Sequence, residues 1–196
     1  IDQVNITVPV SCTMNGTGMN THNAEISNGI YKDNIGTTTF KAYCNDTEGF
    51  AIYAIGFTDD EYGKTVLTNS TLGSTHDILT GTATNGEASN WAMKLTATAG
   101  TYTPIIVGST DDTTKESTTP DFSNYANVPT DYTKVAYRTS NTDQGTDPTG
   151  SSLTSTYAAY ISPVQVAGTY TGQVKYTLVH PQSAAAPTTP LKDTDC

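Results

Sequence analysis

Thr37 to Thr58 constrains this chain more than any other stretch, reading TTTFKAYC, then NDTEG, then FAIYAIGFT. In the first run Phe40, Ala42 and Cys44 alternate with Thr39, Lys41 and Tyr43, the period of a strand with one buried and one wet face. The second run, Phe50 to Phe57, is apolar at both parities, as in a strand covered on both sides. Asn45, Asp46 and Gly49 supply the turn chemistry of a five-residue loop. The two runs therefore predict a hairpin at the heart of an antiparallel β-sandwich.

The remaining pattern supports an all-β chain. Residues 4–12, VNITVPVSC, place Val4, Ile6, Val8, Val10 and Cys12 on one face, and Pro9 assigns that strand to a sheet edge. Ala24–Ile26 and Gly29–Tyr31 are short segments expected to pair locally. Thr65–Leu67, Asp77–Thr84, Asn90–Thr98, Tyr102–Val107, Tyr132–Arg138, Leu153–Ile161 and Gly168–His180 read as further strands. In Asn90–Thr98, Trp91, Met93 and Leu95 point inward and Ala92, Lys94 and Thr96 outward. Gly108–Thr130 has no periodicity and is expected to be a surface loop, as is Asn141–Ser151. Residues 1–180 form one expected domain, and Pro181–Cys196, rich in Pro, Ala and Thr, an extended tail or linker.

Charge narrows the partners. The net charge of −10 opposes nucleic acid, whose phosphates require a basic surface, and no apolar run approaches the length that spans a bilayer. Hydrophobic residues make up 35% and charged residues 14%, both low for a cytosolic globular chain; a Thr-rich acidic exterior fits an extracellular surface. The chain opens on Ile1 without a basic-then-apolar segment, as expected of a mature form whose leader is gone.

Cys12, Cys44 and Cys196 form no C-x-x-C pair and no zinc-ligand spacing. Cys12 and Cys44 each close an alternating strand, the placement of a disulfide within an oxidising compartment; two buried thiols are the alternative. Cys196 is left as a thiol, an intermolecular partner or the point where the chain is cut. His22, His76 and His180 lack a G-x-S-x-G elbow, and neighbours such as His76 and Asp77 would point to opposite faces of a strand, so no triad is expected. Glu25, Glu48, Glu61, Glu87 and Glu116 fall in or near loops, where solvated acids sit, rather than as a facing pair for glycoside hydrolysis. Asp59-Asp60-Glu61 and Asp111-Asp112 lack the spacing of a calcium loop. No catalytic residue, metal or cofactor is expected. Asn5, Asn15, Asn45 and Asn69 open N-x-S/T triplets.

CNDTEGFAIYAIGFT and AGTYTGQVKYTLVHP resemble segments of secreted surface proteins of Saccharibacteria-type candidate-phylum bacteria. Cys12, Cys44 and the Ala167–Val174 strand also resemble chaperone–usher and spore-coat-U-like pilins. That second resemblance implies an immunoglobulin-like or pilin-like sandwich with a Cys12–Cys44 bridge, whose subunits polymerise by lending a strand. Here only Ile1–Ser11 precedes the first cysteine, so the first strand, the tail or neither is lent.

Two functions follow as expectations. One is an extracellular structural subunit of a pilus-like surface filament, a homopolymer assembling through the edge strand and the tail, with Cys196 available to lock the contact. The other is a monomeric adhesin or glycan-binding module that meets a host-cell or glycan ligand with Gly108–Thr130.

Overall fold

The structure, a computed structural model, describes residues 3, 5–15, 21–58, 61–97, 103–104, 116–139 and 152–188. Among them are eleven strands: β1 (Cys12–Asn15), β2 (Ile30–Cys44), β3 (Phe50–Thr58), β4 (Glu61–Tyr62), β5 (Leu79–Thr80), β6 (Asn90–Ala97), β7 (Thr103–Pro104), β8 (Glu116–Ser117), β9 (Thr133–Arg138), β10 (Ser152–Ile161) and β11 (Gln173–Val179). A single 3-10 turn, Ser74–His76, accompanies them.

The strands form two sheets. One has the order β1-β2-β10-β6-β5, with β8 also on β2; the other has the order β11-β3-β9-β7, with β4 on β3. Their inner faces share one core. Phe40, Ala42 and Cys44 from β2, Trp91, Met93 and Leu95 from β6, and Leu153 and Ala159 from β10 meet Phe50, Ile52, Ala54, Val135 and Ala136 of the second sheet. The alternation in the sequence thus chose the inward face of β2 and β6.

The expected β2–β3 hairpin does not form. The two strands lie in different sheets, and residues 45–49 arch from one layer to the other. A strand apolar on both faces pairs best at the centre of a covered sheet, and β3 takes that place between β11 and β9. Gly49, at φ 74°, provides the left-handed residue that closes the arch.

Both outer faces have covers. Tyr31, Ala92, Ala158 and Tyr160 on the outside of the first sheet are buried with Phe122 and Tyr125. The Phe122 ring meets Tyr31 edge-on at 5.0 Å, and Met93 and Ala126 form a backbone bridge. Residues 116–130 are therefore packed, correcting the surface-loop reading for that half of Gly108–Thr130: Pro120, Phe122, Tyr125 and Val128 are buried. Residues 105–115, like 140–151, lie outside the described residues. Lys94, expected to face solvent, is 1% exposed, with Nζ 5.1 Å from the centroid of the Tyr125 ring.

The other cover is the start of the tail. Lys134 Nζ donates to Gln182 O at 2.7 Å, and Tyr53 OH donates to Ala184 O at 3.4 Å. Pro181–Ala184 thus folds back on the outer face of β3 and β9 instead of standing clear as part of a linker. Other boundaries shift too. Ala24–Ile26 and Thr65–Leu67 form no strand, although Leu67 bridges Ile78. Asp77–Thr84 shrinks to the two residues of β5, parallel to β6. Tyr170 is in a loop ahead of β11.

Candidate functional site: an apolar arm and an apolar groove

The largest departure from expectation is at the N-terminus. Asn5–Ser11 is not a strand, and pairing starts only at Cys12. The alternating residues that predicted a buried face are in solvent: Ile6 is 83% exposed, Val8 75% and Val10 51%. Burying each such side chain would contribute about 1.5–3 kcal/mol, so three in a row, on one parity, form an unspent strand face. The strand expected over residues 4–12 therefore does not form over residues 5–11, and the face its alternation predicted to be buried is exposed.

The base of this arm is fixed. Cys12 lies opposite Cys44 in the β1–β2 register, and the two are joined by a disulfide. One residue on, Asn45 reaches back. Its Oδ1 accepts from Ser11 N at 2.6 Å, its Nδ2 donates to Pro9 O at 3.0 Å, and its backbone N donates to Ser11 O at 3.1 Å. Nδ2, the atom a glycan would take in the Asn45 triplet, is thereby engaged. Beside it, Asp46 Oδ2 lies 3.1 Å from His180 Nδ1. The Glu48 backbone N–H and then His180 hold the Asp46 carboxyl below its ordinary value.

A groove of about 1420 Å³ enters the core between the two sheets. One wall is Thr21–Ile26 with Ile35, Thr38 and Phe40 of β2; the other is Val166–Tyr176, ending in β11. Leu67, Ile78, Trp91 and Tyr157 line its depth. His22 sits on the rim, 2.8 Å from Thr38 Oγ1 through Nε2, over Gly36, where any Cβ would collide with the imidazole. Tyr157 and Tyr176 hydroxyls meet across the interior at 3.3 Å, and burial raises the pKa of both phenols. The lining is mostly apolar and aromatic, with Thr38, Gln165 and Gln173 among its polar residues and with Glu25 and Lys175 as charged ones.

Strand registers place the arm at the 45–49 arch, while the groove starts close by at Met14 and Phe40 and extends toward the other end of the domain. β1 is antiparallel to β2, from Cys12 opposite Cys44 to Asn15 opposite Lys41, so the chain before Cys12 leaves the domain at the 45–49 arch. β11 is antiparallel to β3, with Val179 opposite Ala51 and Gln173 opposite Phe57. The groove, lined by Thr21–Asn28 and Ala167–Tyr176, runs away from the arch toward the far end. In the described sheet β11 pairs only with β3, which leaves its outer edge available to a further strand.

The other candidate groups are scattered. His22, His76 and His180 sit at the groove rim, in the 3-10 turn and beside the arch respectively. The Cys12 and Cys44 sulfurs lie with a His180 nitrogen within 4.8 Å, but bonded to each other they offer no thiolate to a substrate or metal. Glu25, Glu48 and Glu87 are exposed, and Glu116 pairs with Lys32 at 2.9 Å. Asp59, Asp60, Asp111, Asp112 and Cys196 lie outside the described residues. Asn69 closes a local turn, accepting from Thr71 N at 2.9 Å. Sequence reasoning missed the groove because its walls come from segments more than a hundred residues apart; the Tyr170–Tyr176 alternation was its one legible trace. Comparison with known protein families, characterised proteins and solved structures finds no match for this chain.

Proposed function

We propose that this chain is an extracellular structural subunit of a bacterial surface filament, with a pilin-like or immunoglobulin-like sandwich as its building block. The observation that carries this reading is the pairing of an exposed, alternating apolar arm at one end of the domain with an apolar groove running toward the other. A plug and a socket that are different surfaces of one domain make a heterologous contact, and such contacts propagate into open chains unless rotation closes them. An extended arm entering the groove would pair with the open edge of β11 and bury Ile6, Val8 and Val10, a β-augmentation in which backbone bonds give affinity and alternate side chains give register. The Cys12–Cys44 bridge fits an oxidising, extracellular setting. Beyond residue 188 the tail supplies a second contact in this proposal, with Cys196 its covalent lock.

Negative-stain microscopy and sedimentation of the concentrated protein test the reading. The full chain should form linear filaments, and a chain lacking residues 1–11 should remain monomeric while keeping its fold. Filaments of normal length from the shortened chain would overturn it.

A further inference from the structure

We infer that the Asn45 side chain is a positioning residue that denies the arm its own groove and so commits it to a second copy of the chain. This inference rests on the filament reading above. Any chain that carries both an apolar arm and a groove that fits it faces competition from itself. A short tether holds the arm near its own groove at an effective concentration in the millimolar range, far above a micromolar solution of second copies. Residues 3–11, extended, reach about 30 Å, enough to turn back along β1 toward Met14 at the groove wall. Without a restraint the arm would fill its own groove and end assembly.

The restraint is visible at the base of the arm. Turning back requires a reversal between Pro9 and Cys12, and three of the four residues there are engaged. Cys12 is bonded to Cys44, Ser11 N donates to Asn45 Oδ1 at 2.6 Å, and Pro9 O accepts from Asn45 Nδ2 at 3.0 Å. One amide thus spans the hinge from Pro9 to Ser11 and ties it to the arch. Pro9 narrows the remaining freedom by fixing its own φ. The bridge sets where the arm starts, and the amide sets where it points.

Asn45→Ala and Asn45→Asp test this in the full chain. Trp91 is buried in the core and so is insensitive to a side chain arriving at the groove mouth; every chain tested therefore also carries Thr171→Trp on the exposed groove wall, and the emission of that indole reports groove filling. In the otherwise wild-type chain the emission should shift blue only as concentration rises and filaments form. In Asn45→Ala it should be blue-shifted at every concentration, the dilute monomer should melt at a higher temperature, and filament yield should fall tenfold or more. Asn45→Asp keeps the acceptor for Ser11 and loses the donor to Pro9, so it should be intermediate. Adding Ile6→Asp to Asn45→Ala should reverse the blue shift, because a charged arm no longer fits. Wild-type filament yield and unshifted dilute emission in Asn45→Ala would overturn the inference, as would a lowered melting temperature without a blue shift, the mark of a structural bond alone. If the wild-type chain shows neither filaments nor a concentration-dependent shift, the filament reading fails and the inference with it.

Discussion

At the scale of single residues, the buried polar groups decide which substitutions matter. Thr156 is fully buried, and its Oγ1 has no hydrogen-bond partner among the described residues. An unmet hydroxyl costs more than the methyl that could replace it, so Thr156→Val should stabilise the domain by about 1 kcal/mol in urea unfolding; a loss of stability would show that the hydroxyl is satisfied after all. Four phenols set the alkaline limit. Tyr31, Tyr125, Tyr157 and Tyr176 are all raised above the ordinary value of 10.0, by burial first. Tyr125 OH also donates to Asp33 Oδ1. In the unfolded chain these groups ionise near their ordinary value, whereas in the fold they stay neutral. The stability they support is therefore complete below about pH 10 and is lost as pH rises from there toward the folded values. Melting temperature should be level from about pH 7 to 9 and fall above 10; a level profile to pH 11 would contradict their burial.

Among the elements, two that looked peripheral carry packing. Phe122 is 2% exposed within the cover of the first sheet, so Phe122→Ala should destabilise the domain by about 3–5 kcal/mol. An effect under about 0.5 kcal/mol, the range of a surface change, would return residues 116–130 to the loop class. The bridge between β1 and β2 closes a sequence separation of 32 residues, and its loss in a Cys12→Ser, Cys44→Ser chain should cost about 3–4 kcal/mol by chain entropy. The same double variant should keep the two-sheet circular-dichroism signature, because the core also draws apolar side chains from β3, β6, β9, β10 and β11 and does not rest on the sulfurs alone.

For the whole molecule, the tail divides at its docking point. Pro181–Ala184 covers Tyr53 and receives the Lys134 ammonium, so a chain ending at residue 180 should lose measurable stability, whereas one ending at 188 should melt like the full chain. Equal melting of the two shortened chains would show that the docked segment contributes nothing. A short run of Pro and Ala has no period of its own, and the outer face of β3 and β9 is what gives residues 181–184 a place.

The sequence by itself determined the elements that local periodicity encodes. Phe40-Ala42-Cys44, Trp91-Met93-Leu95 and Val174-Tyr176-Leu178 face the core as their alternation requires, and Phe50–Ile55 is covered on both sides. The pairing of Cys12 with Cys44 was legible because both end an alternating run. Periodicity specifies which face of a strand is apolar, but not what covers it. Only the tertiary structure decided that β2 and β3 part at the arch into separate sheets, that Phe122 and Tyr125 cap the first sheet, and that Ile6, Val8 and Val10 stand exposed. Those outcomes depend on contacts between distant segments, which a strand's own alternation does not record.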